Sequence, residues 1–108
     1  MNIETRDSDG IILVSLSGEV DLSHSAGLRK RLMELMFERR DVVVDLSAVT
    51  YVDSSGIAGL VEAYQMARKN NTRFVLAALS DPVRRVLQLA RLDRVFTITD
   101  SAEAALKG

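Results

Sequence analysis

Three features of this 108-residue sequence predict an α/β domain built on a mixed sheet. Two strand-like runs at the N-terminus flank a tight-turn dipeptide. Three more short apolar runs follow, and segments with helical periodicity separate them. The resulting order is strand, strand, helix, strand, helix, strand, helix, strand, helix. It implies an antiparallel first pair, then parallel neighbours joined by right-handed crossovers. Length and composition fit one ordinary globular domain over residues 1–108, with 47% hydrophobic and 27% charged residues.

The elements follow in order. Asn2 to Arg6 and Ile12 to Ser17 flank Asp9-Gly10, a pair suited to the positive backbone angles of a hairpin turn. Ile12, Val14 and Leu16 alternate with Leu13, Ser15 and Ser17, the period of a strand with one buried face. Between Ser23 and Glu38, Leu28, Leu32, Leu35 and Met36 recur at helical spacing opposite a charged side. Val42 to Leu46 reads as an inner parallel strand. Ile57, Leu60, Val61 and Tyr64 mark a second helix that closes near Asn70-Asn71, and Arg73 to Leu79 has strand length. Asp81-Pro82 reads as an N-cap with proline at the first helical position, before the apolar stripe of Val83, Val86, Leu87 and Ala90. Val95 to Ile98 is the last strand, and Asp100 with Glu103 has the spacing of a capping box for a terminal helix.

Composition removes several kinds of function. Without cysteine there is no disulfide, thiolate metal site or thiol catalysis. Fourteen basic residues against fifteen acidic ones give a formal charge of −1, so no global field draws nucleic acid or an anionic membrane. Arg29-Lys30-Arg31 and Arg84-Arg85 read as solvated helix faces. No signal peptide or membrane span is expected, and a soluble cytoplasmic protein is the default expectation. His24, the single histidine, reads as a surface residue of the first helical turn. One histidine supports neither a metal centre nor a serine hydrolase, and the serine turn lacks the Gly-x-Ser-x-Gly pattern.

The segment Thr50 to Gly56 stands where parallel sheets gather their sites, between a strand and a helix N-terminus. Ser54 and Ser55 fall in the first turn of a helix whose free N–H groups and positive dipole end favour phosphate. Gly56 lets another backbone come close. Asp53, Ser54 and Ser55 are equally the ordinary N-cap residue types, and pattern alone leaves both roles open. A receiver-type reading would make Asp53 the phosphorylated group. It requires an adjacent acidic pair after an early strand, whereas Glu19 and Asp21 are not adjacent, and a lysine near the last strand, where none lies between Val95 and Thr99.

Four blocks carry a resemblance. Gly18-Glu19-Val20-Asp21, Val44-Asp45-Leu46-Ser47 leading into Tyr51-Val52-Asp53-Ser54-Ser55-Gly56, Ser80-Asp81-Pro82-Val83, and Ala90-Arg91-Leu92 closely resemble the STAS family, and within it the bacterial anti-sigma factor antagonists. The resemblance covers nearly the whole chain in order and spacing. It implies a single STAS-like domain with a mixed five-stranded sheet and about four helices. It implies Ser54 as the acceptor of a phosphoryl group from an anti-sigma factor serine kinase. Unphosphorylated antagonist would bind that kinase and free the sigma factor, phosphorylation would block binding, and a PP2C-like phosphatase would reset the switch. The protein would then be a substrate and binding module, not an enzyme, with no cofactor. Asp21, Asp53, Ser54, Ser55 and Gly56 would form the partner-binding face. Asp21 is open to a second role as cap of the first helix, in competition with Ser23. A monomer is expected rather than an oligomer. The alternative within the family is a subunit of a signalling scaffold or transporter-regulating complex that binds without being phosphorylated. Two departures stand out: Arg91-Leu92-Asp93 replaces a glycine-containing turn, and Ala58-Gly59 leaves the second helix small on a side expected to be exposed.

Overall fold

The computed structural model describes residues 1–107. β1 (Asn2–Ser8) and β2 (Ile11–Val20) form the expected hairpin; Asp9 and Gly10 adopt φ of 52° and 91°, the angles that reverse the chain. The chain continues through α1 (Leu22–Phe37), β3 (Asp41–Val52), α2 (Ser54–Asn70), β4 (Phe74–Ala77), α3 (Asp81–Leu89), a 3-10 turn at Leu92–Arg94, β5 (Thr97–Thr99) and α4 (Ala102–Lys107). The sheet order is β1-β2-β3-β4-β5, antiparallel at β1–β2 and parallel from there on. No described helix is long and apolar enough to cross a membrane.

Side-chain alternation divides the core between two faces. Ile12, Val14 and Leu16 of β2 and Val42, Val44 and Leu46 of β3 pack with Leu28, Leu32, Leu60, Val83 and Leu87, so α1, α2 and α3 share one face. Leu13, Val43, Val75 and Ala77 point the other way, where α4 covers them through Ala105. β2 is thus buried on both faces around Leu13, where alternation predicts one buried face. Asn70 at the end of α2 donates from Nδ2 to the carbonyl of Met36 at 2.8 Å, a second donor beside the Arg39 N–H at 3.0 Å, and so ties the two helix ends together. Arg29 and Glu62 join the two helices at 2.7 Å.

The element boundaries differ from expectation for identifiable reasons. β3 runs on to Val52, because Val49 and Val52 stay buried while two register shifts let its second half follow β2. The polar residues Ser47 and Thr50 conceal this in a hydropathy pattern. β4 is shorter than expected. α1 begins one residue earlier, with Asp21 in the N-cap position. Ser80, not Asp81, takes the extended N-cap conformation of α3, which moves Asp81 into the first turn. Ala90 lies outside the buried stripe. Val95 is drawn into the 3-10 turn by its N–H bond to the Leu92 carbonyl, so β5 starts at Thr97. Ser101 caps α4, accepting from the Ala104 N–H at 3.1 Å, in place of the Asp100–Glu103 box. Arg91 sits at φ 60°, ψ 22°, the left-handed conformation for which glycine is the usual choice, so arginine performs the turn at a steric cost of about 1 kcal/mol.

Candidate functional site

The site is a product of the β2–β3 pairing. These strands run parallel with Val20 opposite Val52, so the chain leaves both at the same height. The next residue in each case, Asp21 or Asp53, is the extended N-cap of a helix. The N–H of Asp53 donates to the Val20 carbonyl at 3.3 Å, tying the two exits together. Two helix N-termini, each with its positive dipole end, therefore open side by side at one end of the sheet.

Gly56 sets how closely they approach. A Cβ on this buried residue would stand 2.8 Å from Val20 Cγ1, 3.0 Å from the Val20 carbonyl oxygen and 3.1 Å from Val52 Cγ2. The close backbone approach expected of Gly56 is thus made to Val20 within the molecule, and Gly56 supports the surface from beneath. Gly59 is likewise buried, facing Arg29 of α1, so only Ala58 of that small pair is exposed, contrary to expectation.

The residues of the turn separate cleanly by role. The Asp53 carboxylate accepts from the Ser55 N–H at 3.1 Å, the Gly56 N–H at 3.4 Å and the Ser55 hydroxyl at 2.5 Å. The Ser55 hydroxyl is therefore committed inside the molecule. Ser54, at the first position of α2, is exposed, and its hydroxyl has no hydrogen-bond partner among the described residues. Asp53 is a functioning cap, and the acidic cluster that a receiver-type phosphorylation would require to hold a metal is absent among the described residues.

Asp21 occupies the cap position of α1 without capping it through its side chain. The Ser23 hydroxyl donates to its carboxylate at 2.7 Å, and His24 Nδ1 lies 2.7 Å from the same oxygen. His24, expected as a simple surface residue, is half-exposed and holds Asp21. Sequence reasoning had no signal for this beyond the three-residue spacing on one helical turn. Leu22 and Tyr51 were also missed: 75% and 49% exposed, they place apolar surface at the same end of the sheet. Their exposure depends on where β3 ends and α1 begins, two boundaries the hydropathy pattern misplaces.

The electrostatics follow the hydrogen bonds. Asp53 is held below the ordinary carboxylate range chiefly by the Ser55 hydroxyl, with partial burial opposing and the Gly56, Ser55 and Leu22 backbone N–H groups adding to the shift. Asp21 is lowered chiefly by the Ser23 hydroxyl, again against desolvation, with His24 contributing.

Comparison with known proteins agrees with this architecture. The STAS domain family matches residues 2–105. The chain belongs to the STAS domain family. The anti-sigma-B factor antagonist of Bacillus subtilis is 25% identical over 107 residues, covering 99% of this chain and 98% of that protein. The crystal structure of an anti-sigma factor antagonist from Mycobacterium paratuberculosis superposes with a TM-score of 0.90 at 30% identity, over 98% of this chain and 91% of that one. The phosphorylated form of the Bacillus cell-fate determinant SpoIIAA shares the fold, with a TM-score of 0.78 at 17% identity, over 98% and 97% of the two chains.

Two outcomes are expected. Gly56→Ala forces Val20 and Val52 aside and destabilises the protein by about 1–3 kcal/mol, read as a lowered thermal midpoint. Because the folded-state pKa of Asp53 lies below its unfolded value of about 3.9, its stabilising contribution is present above that pH and is lost as pH falls through the folded pKa. Thermal unfolding of Asp53→Asn, which keeps an acceptor oxygen but cannot titrate, should show a shallower acid decline than wild type. An unchanged decline would remove Asp53 from the acid response.

Proposed function

We propose that this protein is an anti-sigma factor antagonist that binds a cognate anti-sigma factor serine kinase through the paired N-termini of α1 and α2, and that phosphorylation of Ser54 switches it off. The single observation that carries this reading is the division of labour within the turn: Ser55 is engaged by Asp53, whereas Ser54 offers a free, exposed hydroxyl at a helix N-terminus. Family membership and relatives named as anti-sigma factor antagonists support it. The docking face comprises Asp21, Asp53, Ser54 and Ser55, supported from below by Gly56, with Leu22 and Tyr51 as apolar contacts beside them. Tyrosine at the centre of an interface is a frequent source of binding energy. A PP2C-like phosphatase restores the unphosphorylated form, and the protein acts in the cytoplasm as a substrate and binding module.

The mechanism is electrostatic. A serine phosphate adds roughly −1.5 to −2 charge beside two carboxylates held ionised by their hydrogen bonds. The α2 N-terminus offsets about 0.3 to 1 kcal/mol of this in the free protein. A partner docked on the turn must desolvate the remainder, and an uncompensated interfacial charge costs about 2 to 5 kcal/mol, or roughly 30-fold to several thousandfold in affinity. No refolding is needed.

Incubation with the kinase and ATP, followed by phosphosite mass spectrometry and calorimetric titration, tests the assignment. Wild type should carry phosphate on Ser54 alone. Ser54→Ala should bind and stay unmodified, while Ser54→Asp should bind more weakly. Phosphate on Ser55, or equal affinity of Ser54→Asp and wild type, would refute it. Binding with no phosphorylation by any candidate kinase would favour a scaffold or transporter-regulating subunit.

A further inference from the structure

The free edge of the sheet carries a pattern that the phosphorylation turn does not use. β1 is an edge strand, hydrogen-bonded only to β2, so its outer backbone groups are open to another strand. Its sequence, Asn2-Ile3-Glu4-Thr5-Arg6-Asp7-Ser8, places Glu4 and Arg6 symmetrically about Thr5. Glu4 pairs with Ser15 and Arg6 with Leu13, so both side chains stand on the face turned away from α1, α2 and α3. There they line an open groove of about 490 Å³ together with Thr5, Leu13 and Ser15. α4 covers this face through Ala105 but does not line the groove. Neither Glu4 nor Arg6 joins an ion pair among the described residues, whereas Asp7 on the same strand is held by Arg40 at 2.6 Å.

We propose that β1 pairs antiparallel with β1 of a second copy of this chain, about a two-fold axis through Thr5, extending the sheet across a homodimer. Side chains directly opposite in an antiparallel pair share a face, and a two-fold axis normal to the sheet joins like faces, so only every second register is possible. Centring on Glu4 sets Glu4 against Glu4, and centring on Arg6 sets Arg6 against Arg6. Centring on Thr5 sets Glu4 against Arg6 twice and pairs all seven residues of the strand. The register of greatest overlap is thus the one whose charges match. The symmetry reverses strand direction between copies, which puts the two Ser54 turns at opposite ends of the dimer and leaves both open. The small area of such an edge contact corresponds to a weak dimer, in place of the monomer expected from sequence.

Sedimentation velocity from micromolar to millimolar concentration tests this on the full chain, with circular dichroism confirming that each variant is folded. Wild type should associate reversibly to a dimer. Glu4→Arg and Arg6→Glu each turn two attractive pairs into two like-charge pairs and should weaken association by about tenfold or more. The Glu4→Arg/Arg6→Glu double variant restores the pairing in the opposite sense and should recover it. A wild type that stays monomeric throughout, single variants that dimerise like wild type, or a folded double variant that fails to recover would each overturn the proposal.

Discussion

The parallel pairing of β2 with β3 is the constraint on which the rest of the structure depends. It brings Val20 and Val52 level, and from there each chain turns directly into a helix through an aspartate. The buried contact of Gly56 with Val20 locks that arrangement, so the two helix N-termini cannot separate without opening the core. One carboxylate, Asp53, then caps α2 and immobilises Ser55. The free hydroxyl of Ser54 is what remains once those demands are met.

Stability and recognition are therefore distributed differently among neighbouring residues. Asp53, Ser55 and Gly56 are occupied with each other and with Val20, and they position the surface. Ser54, Leu22 and Tyr51 face outward with little internal work to do. A phosphate on Ser54 can alter the surface charge strongly while leaving the helix cap in place, which suits a switch that acts on binding and leaves the fold intact.

The strand and helix order was legible because each element has its own period: alternation in β2, a β-branched run in β3, a leucine stripe in α1. Boundaries were less so. Ser80 takes the N-cap position of α3 by backbone conformation alone and Ser101 caps α4 through a hydrogen bond, where neighbouring aspartates are equally good cap types. The Asp53–Gly56 turn was marked out as a candidate by its place after a strand, but its spacing alone left Asp53, Ser54 and Ser55 indistinguishable. Their division depends on a hydrogen bond between residues two apart and on exposure, neither of which a residue string encodes. The pairing of His24 with Asp21 is hidden in the sequence for the same reason.

Comparing backbone amide NMR spectra of the unphosphorylated and Ser54-phosphorylated protein tests the local character of the switch most directly. A switch confined to charge at the paired helix N-termini predicts shift changes limited to about Val20–His24 and Val52–Ile57, with the sheet and α3 unchanged. Changes spread through β4, β5 and α3 would contradict it and show that phosphorylation acts by rearranging the fold.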